Sequence, residues 1–193
     1  MRGWAADTGV DMGHFAQLMR QWLGVEAGFE AAVNPVHALE RGEIEVPAFE
    51  QHLADGLGRI SGEPVEPEGL LDRMFEYFEH APQMSALVRR AKEHGIKTAL
   101  LSNSWGNSYP DHLFDGMFDV IVISGQVGMR KPDAEIFDFT VDQLGVTHTD
   151  CVFVDDIARN VHAAVELGQV GILHESYEST ANEVSAVLGV DLA

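Results

Sequence analysis

Four short apolar runs, KTALLSN (97–103), FDVIVISG (118–125), CVFVDD (151–156) and QVGILH (169–174), are separated by stretches of helical pattern. This alternation constrains the fold more than anything else in the chain. Unbroken runs of Val, Ile and Leu suit parallel strands covered on both faces. MSALVRRAKEHG precedes the first run, and AEIFDFTVDQLG and ARNVHAAVELG lie between later ones. Each of these stretches ends at a glycine, as helix C-termini commonly do. Strand alternating with helix predicts βαβ units, and so an α/β fold with a parallel sheet flanked by helices.

The first part of the chain follows another rhythm. FAQLMRQWL (15–23) sets Phe15, Leu18, Met19, Trp22 and Leu23 on one helical face. VPAFEQHLADGLGRI (46–60) does the same through Val46, Phe49, Leu53, Leu57 and Ile60, with Pro47 suited to a helix start. SGEPVEPEG (61–69) reads as a loop and LLDRMFEYF (70–78) as a further helix. The expected division is a small helical domain over 12–82 and an α/β core over 83–193 that also takes in 1–11.

Polar residues collect where the apolar runs end. Ser102 and Asn103 close the first, Ser124 and Gly125 the second with Lys131 soon after, and Asp155 and Asp156 the third. In open parallel sheets ligands bind outside the carboxyl ends of the strands, so these groups should converge on one rim. A hydroxyl with backbone N–H groups holds phosphate oxygens, and an ammonium neutralises developing charge. Paired carboxylates suit Mg²⁺, which keeps waters and takes phosphate as a further ligand. Taken singly, each feature has a plainer reading: a helix cap or loop start for the Asp pair, a turn for Ser102-Asn103, an exposed turn for GMRKPD (128–133). Their order, each behind its own apolar run, favours a phosphate and metal site.

Net charge is −19, which repels phosphate backbones and argues against a nucleic-acid partner. No stretch approaches the roughly 20 apolar residues of a membrane span, and the N-terminal residues carry no signal-like apolar run. The lone Cys151 allows no internal disulfide and fits a reducing cytoplasm, the expected location. Opening an apolar run, it reads as core and not as a nucleophile. The nine His are scattered without metal spacing.

LLSNS (100–104), RKPDAEIF (130–137) and VFVDDIARN (152–160) resemble the second, third and fourth motifs of the haloacid dehalogenase superfamily. The likeness is close over about 83–175, and the helical half resembles the cap that one subclass inserts after its first motif. The nearest likeness is to phosphatase-like members such as the domain fused to some epoxide hydrolases. The resemblance implies a Mg²⁺-dependent phosphatase of small phosphorylated substrates. It implies that Ser102 binds the transferring phosphoryl group, with Asn103 lining the site, and that Lys131 contacts that group and the catalytic carboxylate. Asp156 is the implied Mg²⁺ ligand, supported by Asp155, with Asn160 one turn on and Trp105 towards the substrate or simply packed.

One part of the pattern is missing. The family's first motif is an apolar strand followed by Asp-x-Asp, whose first carboxylate is the nucleophile. No Asp-x-Asp occurs in this sequence; Asp7 and Asp11 are four apart and lack the strand, and read instead as a helix cap or a frayed terminus. The sequence begins about where the cap begins, so the expectation is a chain cut short or given a misplaced start, inactive as it stands. The strand carrying that motif is central in the family's sheet. Without it two apolar edges are exposed, which predicts lower stability or completion by a partner, a second copy included. The competing expectation is a non-catalytic binding or interaction protein, against which Ser102, Lys131 and Asp156 all stand. A phospho-receiver domain uses similar groups, but with the acidic pair first and the lysine last.

Overall fold

The computed structural model describes residues 4, 7–23, 34–76, 81–105 and 114–192. The chain divides into two compact units, residues 1–80 and 81–193. Among the described residues no helix is long and apolar enough to cross a membrane.

The first unit is helical: α1 (Met12–Leu23), α2 (Pro35–Glu40), α3 (Val46–Ser61) and α4 (Leu70–Phe75). The predicted apolar faces are the buried ones, with Leu18 of α1 and Phe49, Leu53 and Leu57 of α3 inside. Gly56 is what allows α1 and α3 to touch, since a Cβ there would lie 2.7 Å from Leu18 Cδ2. The short α2 has no long apolar stripe to announce it. It is nucleated by Asn34, whose Oδ1 accepts the Val36 N–H at 2.9 Å, and by Pro35 in its first turn. Trp4, in the stretch expected with the α/β core, packs within this first unit. Trp4 is fully buried, lies edge-on to Phe15 at 5.1 Å and donates its indole N–H to the Leu70 carbonyl at 2.9 Å. Glu50 is buried as well, because it accepts the N–H groups of Gly69 at 3.2 Å and Leu71 at 2.9 Å and so caps the start of α4. The last two residues of the expected 70–78 helix, 77 and 78, lie outside the described residues.

The second unit is the predicted α/β alternation. In order it contains α5 (Pro82–Glu93), β1 (Ala99–Ser102), β2 (Val120–Ile123), a one-turn α6 (Ser124–Val127), α7 (Ala134–Leu144), β3 (Val152–Asp155), α8 (Ala158–Glu166), β4 (Val170–Leu173) and α9 (Tyr177–Leu188). All pairing is parallel. Ala99 to Ser102 match Val120 to Ile123, and Val152 to Asp155 match Val170 to Leu173.

The expected sheet takes the form of two such pairs. Among the described residues β1 bonds to β2 and β3 to β4, and no ladder joins β1 to β3. Every residue of β1 and of β3 is only half-buried, although both strands are largely apolar. The pairs are held together on one face by a shared cluster. Leu101, Val120 and Val122 from the first pair and Phe153 from the second pack there with Ile136, Phe137 and Ala164. Val152, Val154 and Ile172 turn the other way, into a cluster closed by Leu87 and Ala91 of α5 and Ala181 and Val184 of α9.

Candidate functional site

Three of the four apolar runs end in strands that stop at or just before the anticipated polar residues. Ser102 is the final residue of β1 and Asp155 that of β3. Ser124 follows β2 directly and opens α6. It is fully buried, its Oγ accepting the Ser104 N–H at 2.8 Å and donating to the Ser104 carbonyl at 3.0 Å. Gly125 N–H adds a bond to that carbonyl at 2.9 Å. A Cβ on Gly125 would stand 3.0 Å from the same oxygen and from Trp105 Cα. One buried hydroxyl and one absent side chain thus fix the turn that follows Ser102. Ser124→Ala removes the acceptor of the Ser104 N–H, and we expect it to cost about 1–3 kcal/mol, measured by urea unfolding. A change below about 0.3 kcal/mol would mean that water takes the place of the hydroxyl.

Lys131 is the hub. Asn103 grips its backbone, accepting the Lys131 N–H at 2.8 Å and donating to the Lys131 carbonyl at 2.9 Å. The Lys131 ammonium donates to the Leu101 carbonyl at 2.8 Å and to Asp155 Oδ2 at 2.6 Å, and lies 5.5 Å from the centre of the Phe153 ring. Side-chain exposure is 10% for Lys131 and 6% for Asp155, so this is a desolvated ion pair. Asp155 is further held by the Ile157 N–H on Oδ1 at 2.8 Å and by Asn160 Nδ2 at 3.2 Å to each oxygen. Lys131 therefore reaches from the last turn of β1 to the end of β3, where no backbone ladder runs.

Of the predicted site residues, Asn103, Lys131 and Asp155 are joined by hydrogen bonds, and Ser102 precedes Asn103 at the end of β1. Asp156 is the next residue along, exposed and without a hydrogen-bond or ion-pair partner among the described residues. Asn160 Oδ1 is buried and accepts no hydrogen bond. The metal-ligating groups at this rim are all oxygens, the carboxylates of Asp156 and of the hydrogen-bonded Asp155. Among the described residues no three His, Cys, Asp or Glu cluster as a complete protein cage. That set suits a hard divalent cation which keeps waters and shares a phosphate ligand. Asp11 accepts the His14 N–H at 3.0 Å, the expected helix cap. Cys151 is half-buried, and burial, then the neighbouring Asp150, pushes its thiol above the usual range, so it stays protonated at neutral pH.

The sequence reading missed two contributors. The Leu101 carbonyl carries no side-chain signal, and Phe153 is one apolar residue within an apolar run.

Comparison with known proteins bears on the same residues. The haloacid dehalogenase-like hydrolase pattern matches residues 16–168. The chain is 30% identical over 137 residues to the chloroplast flavin mononucleotide hydrolase 1 of Arabidopsis thaliana, covering 69% of this chain and 56% of that one. It is 32% identical over 116 residues to mouse bifunctional epoxide hydrolase 2, covering 56% of this chain and 21% of the relative. The matched stretch is thus little more than half of the first relative and about a fifth of the second. A haloacid dehalogenase family enzyme of Bacteroides thetaiotaomicron, solved with magnesium and inorganic phosphate, superposes with a TM-score of 0.59 at 21% identity, covering 86% of this chain and 87% of that chain.

Proposed function

The chain belongs to the haloacid dehalogenase-like hydrolases, and from that premise we propose that it carries most of the site of a Mg²⁺-dependent phosphatase for small phosphate esters. The observation that supports this best is the Lys131 ammonium, fixed between the Leu101 carbonyl near the end of β1 and the Asp155 carboxylate at the end of β3. In this reading the Ser102 hydroxyl and the N–H groups that follow it take the phosphoryl oxygens. Lys131 offsets the charge that builds on them, held in place by Asn103 and Asp155. Asp156 holds Mg²⁺, with Asp155 supporting it and Asn160 in turn holding Asp155. When bound, the metal supplies charge neutralisation at phosphorus. Phosphate chemistry at these residues accords with the relatives' names, a flavin mononucleotide hydrolase among them.

The nucleophile is not among these residues. No Asp-x-Asp is present, so the chain is read as inactive until a strand carrying that carboxylate pairs between β1 and β3. Residues 12–82 are read as the family's helical cap and 83–193 as its core. The enzyme is read as cytoplasmic, with neither nucleic acid nor membrane as partner, and a second copy is one means of covering the two strand edges. A non-catalytic binding protein is the second reading, favoured by the missing carboxylates alone.

The test on this chain is calorimetric titration with Mg²⁺. Weak binding is expected, lost in Asp156→Asn and strengthened by inorganic phosphate. Binding that Asp156→Asn leaves unchanged would remove Asp156 from the metal site.

A further inference from the structure

Lys131 reaches across two strand edges that have no neighbour among the described residues. Which backbone groups lie on those edges follows from the bonds on the other side of each strand. The Thr98 carbonyl accepts the N–H groups of Asp119 at 2.8 Å and Val120 at 3.4 Å, towards β2. Alternate residues of a parallel strand bond to opposite neighbours, so Leu100 and Ser102 also turn to β2, and Ala99 and Leu101 turn to the open edge. On β3 the Cys151 carbonyl accepts the Val170 N–H at 3.0 Å and the Asp155 carbonyl that of His174 at 2.9 Å, both towards β4. Val152 and Val154 therefore hold the open edge of β3.

Open edges invite pairing, and an inward-pointing charge is one way of blocking it. The Leu101 carbonyl is not bare. The Lys131 ammonium donates to it at 2.8 Å, the distance at which the N–H nitrogen of a pairing strand would lie. The same ammonium donates to Asp155 Oδ2 at 2.6 Å, so it bridges the ends of both strands.

We propose that this contact is a guard that a pairing strand releases. With the edge open, Lys131 caps the Leu101 carbonyl and blocks pairing there. A strand that pairs with β1 supplies its own N–H to that carbonyl and displaces the ammonium. Lys131 keeps Asp155 and has one more of its three N–H donors free for the rim. The strand that completes the sheet thus also deploys the cation of the site. Release requires a strand between β1 and β3, the premise of the phosphatase reading; the capping contact does not.

Nuclear magnetic resonance on the full chain tests this. The sequence has three lysines, Lys92, Lys97 and Lys131. With isotope-labelled lysine nitrogen and leucine carbonyl carbon, coupling across hydrogen bonds should show two pairs. One is Lys131 with Leu101; the other, Lys97 with Leu144 at 2.7 Å, is the control. Extending the chain before Met1 by an apolar strand that ends in Asn-x-Asn adds no carboxylate to attract the ammonium. The first pair should then vanish and the second stay, while the amides of Ala99, Leu101, Val152 and Val154 exchange at least tenfold more slowly. The guard is overturned if the unextended chain shows the control pair alone. It is also overturned if the Lys131 pair persists once those amides are protected, since the carbonyl then accepts both donors. If the amides stay unprotected, the same extension on Lys131→Met with Asp155→Leu decides the matter. Protection in that variant upholds the guard, because removing it lets the strand in. No protection in either chain refutes strand entry itself, and the release with it.

Discussion

Lys131→Ala should destabilise the α/β unit by about 3–5 kcal/mol, the usual cost of leaving one member of a buried ion pair alone. The loss is concentrated in Asp155, whose carboxylate is 6% exposed and would keep only the Ile157 N–H and the Asn160 amide. Three of the contacts gathered at Lys131 disappear together: the salt bridge, the bond to the Leu101 carbonyl and the cover over Phe153. Lys131→Met combined with Asp155→Leu should recover most of that stability, because an apolar pair of similar volume needs no desolvation. Urea unfolding of the three proteins reads both effects. A single-variant loss below about 1 kcal/mol would show that the pair is solvated and that the two strand pairs are held by the apolar cluster alone.

Placing an apolar strand that ends in Asp-x-Asp before Met1 should convert this chain into a Mg²⁺-dependent phosphatase. Hydrolysis of p-nitrophenyl phosphate is expected to rise by about three orders of magnitude or more, the scale on which losing a covalent nucleophile acts. The same strand should raise the melting temperature. β1 and β3 each bond on one side only among the described residues, and every residue along them is half-buried. A strand between them satisfies both edges and buries their side chains. Changing the first Asp of the added segment to Asn separates the two effects: stability should stay and turnover should vanish. Added stability without turnover would leave the fold reading intact and refute the phosphatase assignment. Turnover without added stability would place the segment elsewhere than between β1 and β3.

The α/β half was legible because its signals are local. Each strand found lies inside its apolar run, and Ser102 and Asp155 stand at strand ends where the runs give out. The helical half showed its long amphipathic helices for the same reason. What stayed hidden depends on contacts between distant residues. Glu50 reads as a surface acid until Gly69 and Leu71 are folded against it. Trp4 stands among small and polar residues and has no periodic partner until Phe15 and Leu70 approach. α2 is too short for a period, and α9 has a weak apolar pattern marked only by its caps, Ser176 and Gly189. Asn103 is expected to line the site, and its side chain also holds the Lys131 backbone. That pairing spans two motifs and cannot be read from either.

β3 carries one further consequence. Its side chains alternate between two clusters, Phe153 into one and Val152 and Val154 into the other. A slip of one residue against β4 would send the ring where the valines belong and turn Asp155 to the opposite face of the sheet. The ammonium of Lys131 would then find no carboxylate. The strand's alignment is proofread twice, by volume on its two faces and by charge at its tip, so a misaligned chain cannot be stable and still hold Lys131 and Asp155 together.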